Sequence, residues 1–260
     1  MDARSIAAHA AASIGAHADV RSVALIGSTA RGLGDDASDI DLLVLSSAVV
    51  DVEPPAPATR LFRLARPDGS FEKWRLASTL IDVEIRSCVA VSDELARVES
   101  GSTDPAAILI GSALHDAELL IGDPLPTVSY TDPLAIAQAR LHLDGLVGSA
   151  SIRRVSHKRG DVLAYAQRQA DLSMRIVGLL GAINRVFVPA AAPKWLPYWI
   201  DRCETRPAKT LEVLEAAITH PSESASDAVD DLLLDVLDLV DRHVPETSTA
   251  AARYALTLTP

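Results

Sequence analysis

Asp39 and Asp41 stand one residue apart in the run SDIDLLVL, twelve positions after Gly27 of a Gly27-Ser28 pair. Side chains alternate along a strand, so the two carboxylates share a face and Ile40 points the other way. Like charges held together repel and are costly to desolvate. A divalent cation resolves that conflict, and hard oxygen donors suit Mg²⁺. The residues ahead of the pair have the makings of a phosphate site. Gly27 permits a tight turn after the apolar run VALI. Ser28 and Thr29 bring hydroxyls and N–H groups, and TARG can open a helix whose N-terminus faces an anion. Phosphate on one side and a metal-binding acid pair on the other is equipment for phosphoryl or nucleotidyl transfer. The plainer reading is a strand–loop–strand with two solvent-facing aspartates.

Elements must hold these groups in place. VALI and IDLLVL are short, apolar and bounded by Gly, Asp and Ser, as buried strands are. Residues 4–17 predict a helix with Ile6, Ala10 and Ile14 inward and His9 and His17 at the surface. RLFRLA and SFEKWRLA flank Arg66-Pro67-Asp68-Gly69, a hairpin signal. Arg63, Lys73 and Arg75 then read as strand-edge charges, or as groups that position a nucleotide. Trp74 reads as core or as a base-stacking ring. The next strand, from Leu80, carries Asp82 and Glu84 on one face.

Ile26-Gly27-Ser28 and Asp39-Ile40-Asp41-Leu42 together resemble the signature of the nucleotidyltransferase superfamily, the DNA polymerase β-like fold. The string GSTARG…SDIDLLV is similar to its small, mostly bacterial members, which move a nucleotide onto small molecules, proteins or RNA. The resemblance covers about the first half of the chain. It implies a mixed sheet with helices packed on it, and two Mg²⁺ ions held by three carboxylates. Asp39 and Asp41 match the first two, and Asp82 is the preferred third. Glu84 is the other candidate, or a base for the acceptor hydroxyl. Gly27, Ser28, Arg31 and Ser38 fall on the nucleotide side. Arg31 reads equally as a partner of Asp35 or Asp36, and Ser38 as a cap of its own loop.

The chain has 260 residues, enough for one large or two ordinary domains, and its 48% hydrophobic content can fill a core. A net charge of −11 argues against a broad nucleic-acid surface. Cys88, in an expected strand, and Cys203 lack metal-ligand spacing and suit a reducing cytoplasm. No signal peptide or membrane span is evident. Gly122-Asp123-Pro124-Leu125-Pro126 marks a boundary, giving a catalytic domain over 1–126 and an all-helical domain over 127–260. The expected fold class is α+β.

In the second half, SIRRVSHKR is a dense basic cluster that reads as a solvated helix face, with polyphosphate binding the alternative. A long helix follows, with Leu163, Ala166, Ala170, Met174 and Val177 as its core stripe. A later helix alternates apolar residues with a solvated set of aspartates, Asp230, Asp231, Asp235, Asp238 and Asp241. The segment from Asn184 to Trp199 weakly resembles a piece found in nucleotidyltransferases of small substrates. That resemblance sends Lys194 to the phosphates and lines the acceptor side with Asn184, Trp195, Tyr198 and Trp199. The alternative is a hydrophobic staple between helices. The expected activity is transfer of a nucleoside monophosphate, AMP from ATP, to a hydroxyl of a small molecule, with an aminoglycoside or lincosamide antibiotic as the specific guess. An acidic acceptor pocket would suit such a cation. A protein or tRNA acceptor, or a non-catalytic nucleotide-binding module, are the alternatives. Monomer and homodimer are both open.

Overall fold

The computed structural model describes residues 2–189 and 194–258. Helix α1 (Ala3–Gly15) is capped by Asp2, whose carboxylate accepts from Ser5 N–H. It buries Ile6, Ala7, Ala10, Ala11 and Ile14, an i, i+4, i+8 stripe. Strand β1 (Val20–Ile26) runs into the single-turn helix α2 (Gly27–Ala30), and β2 (Ile40–Ser46) follows. The hairpin β3 (Thr59–Arg66) and β4 (Gly69–Leu76) leads to β5 (Thr79–Ser87). Helices α3 (Cys88–Glu99) and α4 (Pro105–His115) come next, and then strand β6 (Glu118–Gly122).

The six strands form one mixed sheet in the order β3-β4-β5-β2-β1-β6. Only β2 and β5 are parallel neighbours among the described strands; the other pairs are antiparallel. One face packs Ile40, Leu42, Val44, Ile81, Val83 and Ile85 with the α1 stripe. The opposite face packs Leu43 and Leu45 with Val91, Leu95, Ile110 and Leu114. Period-2 alternation therefore assigns Asp41, Asp82 and Glu84 to the face of Leu43 and Leu45.

The stretch ELLIG is edge strand β6, short and mostly exposed, so its pattern shows no buried face. Two sequence expectations change here. Cys88 begins α3 instead of lying in a strand. Lys73 and Arg75 lie on β4, an interior strand, so the edge-charge reading fails for both.

The chain divides into two compact units, residues 1–97 with 110–128, and residues 98–109 with 129–260. The second is helical apart from its loops: α5 (Asp132–Lys158), α6 (Val162–Asn184), α7 (Leu196–Arg202), α8 (Thr210–Thr219), α9 (Glu223–His243) and α10 (Ala250–Thr257). Its core joins Leu143, Leu146, Leu172, Ile176, Leu180, Leu233 and Val236 from α5, α6 and α9. The buried stripe of α6 runs through Tyr165, Gln169, Leu172, Ser173 and Ile176. The expected stripe is wrong in its first half: Leu163 is 83% exposed. Gln169 and Ser173 occupy core positions because they bond within the core, Gln169 to Arg153 and Ser173 to the Gln169 carbonyl.

The basic cluster is a solvated face only in its second half, where Lys158 and Arg159 are exposed. Arg153 is fully buried and ion-paired with Asp230, which Arg154 also engages. Asp230 accordingly leaves the solvated aspartate set. No helix among the described residues is long and apolar enough to cross a membrane.

Candidate active site

Gly27 turns the chain out of β1 with φ +71°, and a Cβ placed on it would fall on the Asp41 carboxylate, 2.8 Å from its carbon. Only glycine fits both the backbone and the space. The β1–β2 pairing sets Ile26 opposite Asp41 and so brings the turn over the acid. In the parallel β2–β5 pairing, Asp41 lies opposite Asp82 and Leu43 opposite Glu84. Lys73 lies opposite Asp82 on the other side of β5. Its ammonium is 2.8 Å from Asp82 Oδ1 and 3.3 Å from Asp39 Oδ2. The buried Oδ1 pairs with that ammonium as an ion pair and makes no other hydrogen bond among the described residues. Asp39, Asp41 and Asp82 are thus brought together with one lysine among them. The Asp82 carboxylate beside it raises the pKa of Lys73, against burial. Burial raises that of Asp82, against the pull of Lys73.

Three hard-oxygen donors, one of them with a buried oxygen answered by an ammonium alone, are the right chemistry for Mg²⁺. They are not a ready-made cage: among the described residues no three His, Cys, Asp or Glu side chains stand ready to hold a metal ion. Lys73 instead bridges two of the three acids, Asp39 and Asp82.

Glu84 is held differently. Arg66 and Arg86 both pair with it. Burial raises its pKa and the two guanidinium groups oppose that rise. Arg86 continues outward to Asp68 and Glu94, so Glu84 belongs to an ion network rather than to the Lys73 cluster. Arg31 bonds Asp116 at 2.8 Å, and Ser112, in place of Asp35 or Asp36. Ser38 donates to Asp35 Oδ1 at 2.8 Å and accepts from Asp35 N–H, the loop-capping arrangement. Trp74 is wholly buried and donates its indole N–H to Glu72, so it cannot stack on a base. Lys73 reaches the acids because, on β4, Glu72 and Trp74 face one way and Lys73 the other.

Residues 12–86 match the sequence profile of the nucleotidyltransferase domain. This stretch is a nucleotidyltransferase domain. No curated protein matches the chain. Among solved structures, a nucleotidyltransferase-like protein from Exiguobacterium sibiricum 255-15 aligns over 97% of this chain and 76% of its own, at 12% identity and a TM-score of 0.40, too loose an overlap to argue from. The matched stretch of the nucleotidyltransferase domain contains the Gly27 turn, Asp39, Asp41, Lys73, Asp82 and Glu84.

In the helical unit, the residues expected on the acceptor side are tied to their own backbone. The Asn184 amide donates to Leu180 O and Thr205 O and accepts from Thr205 N–H. Trp199 is buried and donates to the Lys194 carbonyl. Tyr198 packs edge-on against Trp199 and accepts from Arg202. Trp195, at the cap position just before α7, has φ 62° and is 37% exposed. Lys194 is exposed. Asn184 thus ties the end of α6 to the segment after α7, and the contacts of Tyr198 and Trp199 lie within residues 194–202. Residues 190–193 of the loop lie outside the described residues.

A separate pocket of about 280 Å³ in this unit is lined by Ile108, Leu109, Gln138, Leu141, His142 and Val188, among others. Among the described residues its lining holds no carboxylate, unlike the acidic pocket expected for a cationic acceptor. His142 lies against Gly178, where a Cβ would overlap the ring. Burial lowers its pKa to about 4.

Proposed function

We propose that the protein transfers a nucleoside monophosphate, AMP from ATP, to a hydroxyl of a small molecule. The observation that carries this reading is the register of β2 on β5, which aligns Asp41 with Asp82 beneath the Gly27 turn. Asp39, Asp41 and Asp82 would hold two Mg²⁺ ions, which would neutralise the triphosphate and lower the pKa of the attacking hydroxyl. Gly27 leaves room for the acid and, with Ser28, turns the backbone toward the phosphates. The pairing of Asp82 with Asp41 and its shared contact with Asp39 support Asp82 as the third ligand. The two arginine partners of Glu84 favour a positioning role for it over that of a base. Lys194 is exposed and long enough to serve as a mobile point charge. Free Cys88 and Cys203 suit a reducing cytoplasm.

The acceptor to test first is an antibiotic of the aminoglycoside or lincosamide type. Mass spectrometry after incubation with Mg²⁺, each of four NTPs and a pooled panel of these drugs reads donor and acceptor together. The expected product is heavier by one nucleoside monophosphate and absent with Asp41→Ala. ATP binding without any product would turn the search to protein, tRNA or other small acceptors.

A further inference from the structure

Three carboxylates cannot gather on one sheet face without a counter-charge. In this fold that charge is built in. Lys73 comes from an interior strand, lies opposite Asp82 in the β4–β5 register, and spans from Asp82 to Asp39. It is the lysine between acids that the proposed function assigns to metal. We propose that Lys73 is an internal counter-cation, which holds the acid cluster together in the metal-free protein and is exchanged for the divalent ion on loading. The inference rests on the proposed nucleotidyl-transfer reading and adds a residue to it.

The exchange is physically simple. Lys73 has a flexible four-carbon stem and a compact charge, so it can withdraw without moving the strand. A divalent ion brings twice the charge and prefers the same oxygens. An incoming triphosphate gives the displaced ammonium an anion to follow. Metal taken up alone must therefore compete with Lys73, whereas metal taken up with nucleotide need not leave that ammonium unpaired. By linkage, ATP should raise metal affinity more when Lys73 is present than when it is absent.

The test uses the full chain and Mn²⁺ as probe, titrated by calorimetry into wild type, Lys73→Met and Lys73→Arg, with and without ATP. The expected result is that Lys73→Met binds Mn²⁺ alone on the order of tenfold tighter than wild type, as expected for removal of an adjacent opposing charge. Lys73→Arg keeps the charge and should track wild type. Lys73→Met should also melt lower than wild type in EDTA and recover with Mn²⁺. Should Lys73→Met not fold, Lys73→Gln takes its place. Equal or weaker Mn²⁺ binding by the uncharged variant overturns the counter-cation role and leaves the proposed function standing. Absence of Mn²⁺ binding in every variant, with ATP present and the heat of Mn²⁺ binding to ATP alone subtracted, overturns the metal-dependent reading itself, and this inference with it.

Discussion

Position 27 combines a φ of +71° with contact to the Asp41 carboxylate, and those two facts predict separate losses for Gly27→Ala. The left-handed backbone costs about 1–2 kcal/mol for a side chain with a Cβ. The displaced acid should lower transfer by about a hundredfold, since small misplacements of reacting groups have effects of that size. Thermal melts and turnover on the identified acceptor would separate the two. His142 offers a second prediction at this scale. Its folded pKa, about 4, lies below the ordinary value of 6.5. The unfolded chain therefore binds the extra proton more readily. Stability from this residue is complete above about pH 6.5 and is lost as pH falls toward 4, on the order of 3 kcal/mol in all. Urea titrations at pH 7 and pH 4.5 should show a larger drop for wild type than for His142→Gln.

Among the elements, α5 and α9 are joined by a charge that has left water. Arg153 is wholly buried, and Asp230 answers it while also holding Arg154. Removing one partner of a buried pair strands the other, so Asp230→Asn should cost about 3–5 kcal/mol. Asp227, which touches only the outer Arg154 and has 59% of its side chain exposed, should cost under about 1 kcal/mol when neutralised. Chemical denaturation of both variants measures the contrast. This is also where the sequence misled. A cluster of Arg and Lys reads as surface because single charges rarely enter a core. The partner that permits burial lies 77 positions away and leaves no local pattern. The same blindness hid the polar stripe of α6, since Gln169 and Ser173 count against a core until their bonds are seen. By contrast, β1, β2, β5 and the β3–β4 hairpin were legible because apolar runs and turn residues are local signals.

For the whole chain, the mixed sheet followed by helices was legible from alternation in one half and helical spacing in the other. The course of the chain between the units was not. Residues 98–109 group with the helical unit, though they precede residues that group with the sheet. Within that unit Thr131 donates to the Glu99 carbonyl, and the Glu99 carboxylate accepts from Ser129 N–H. Ile108 lines a cavity with Tyr130, Gln138 and His142. A fragment spanning 129–260 should therefore melt lower, or stay soluble less well, than one spanning 98–260. Circular dichroism of the two fragments would show it. Broad charge was informative for a different reason: a net −11 speaks about partners and not about fold.

The β2–β5 register has one more consequence. Slipping β5 by a single residue would set Ile81 or Val83 where Asp82 belongs, and would turn Asp82 and Glu84 into the apolar layer beneath α1. A one-residue slip is thus strongly disfavoured in this sheet. The apolar residues interleaved with the acids act as a checksum: a chain that has buried Ile81, Val83 and Ile85 has, by the same act, delivered its carboxylates to the correct side.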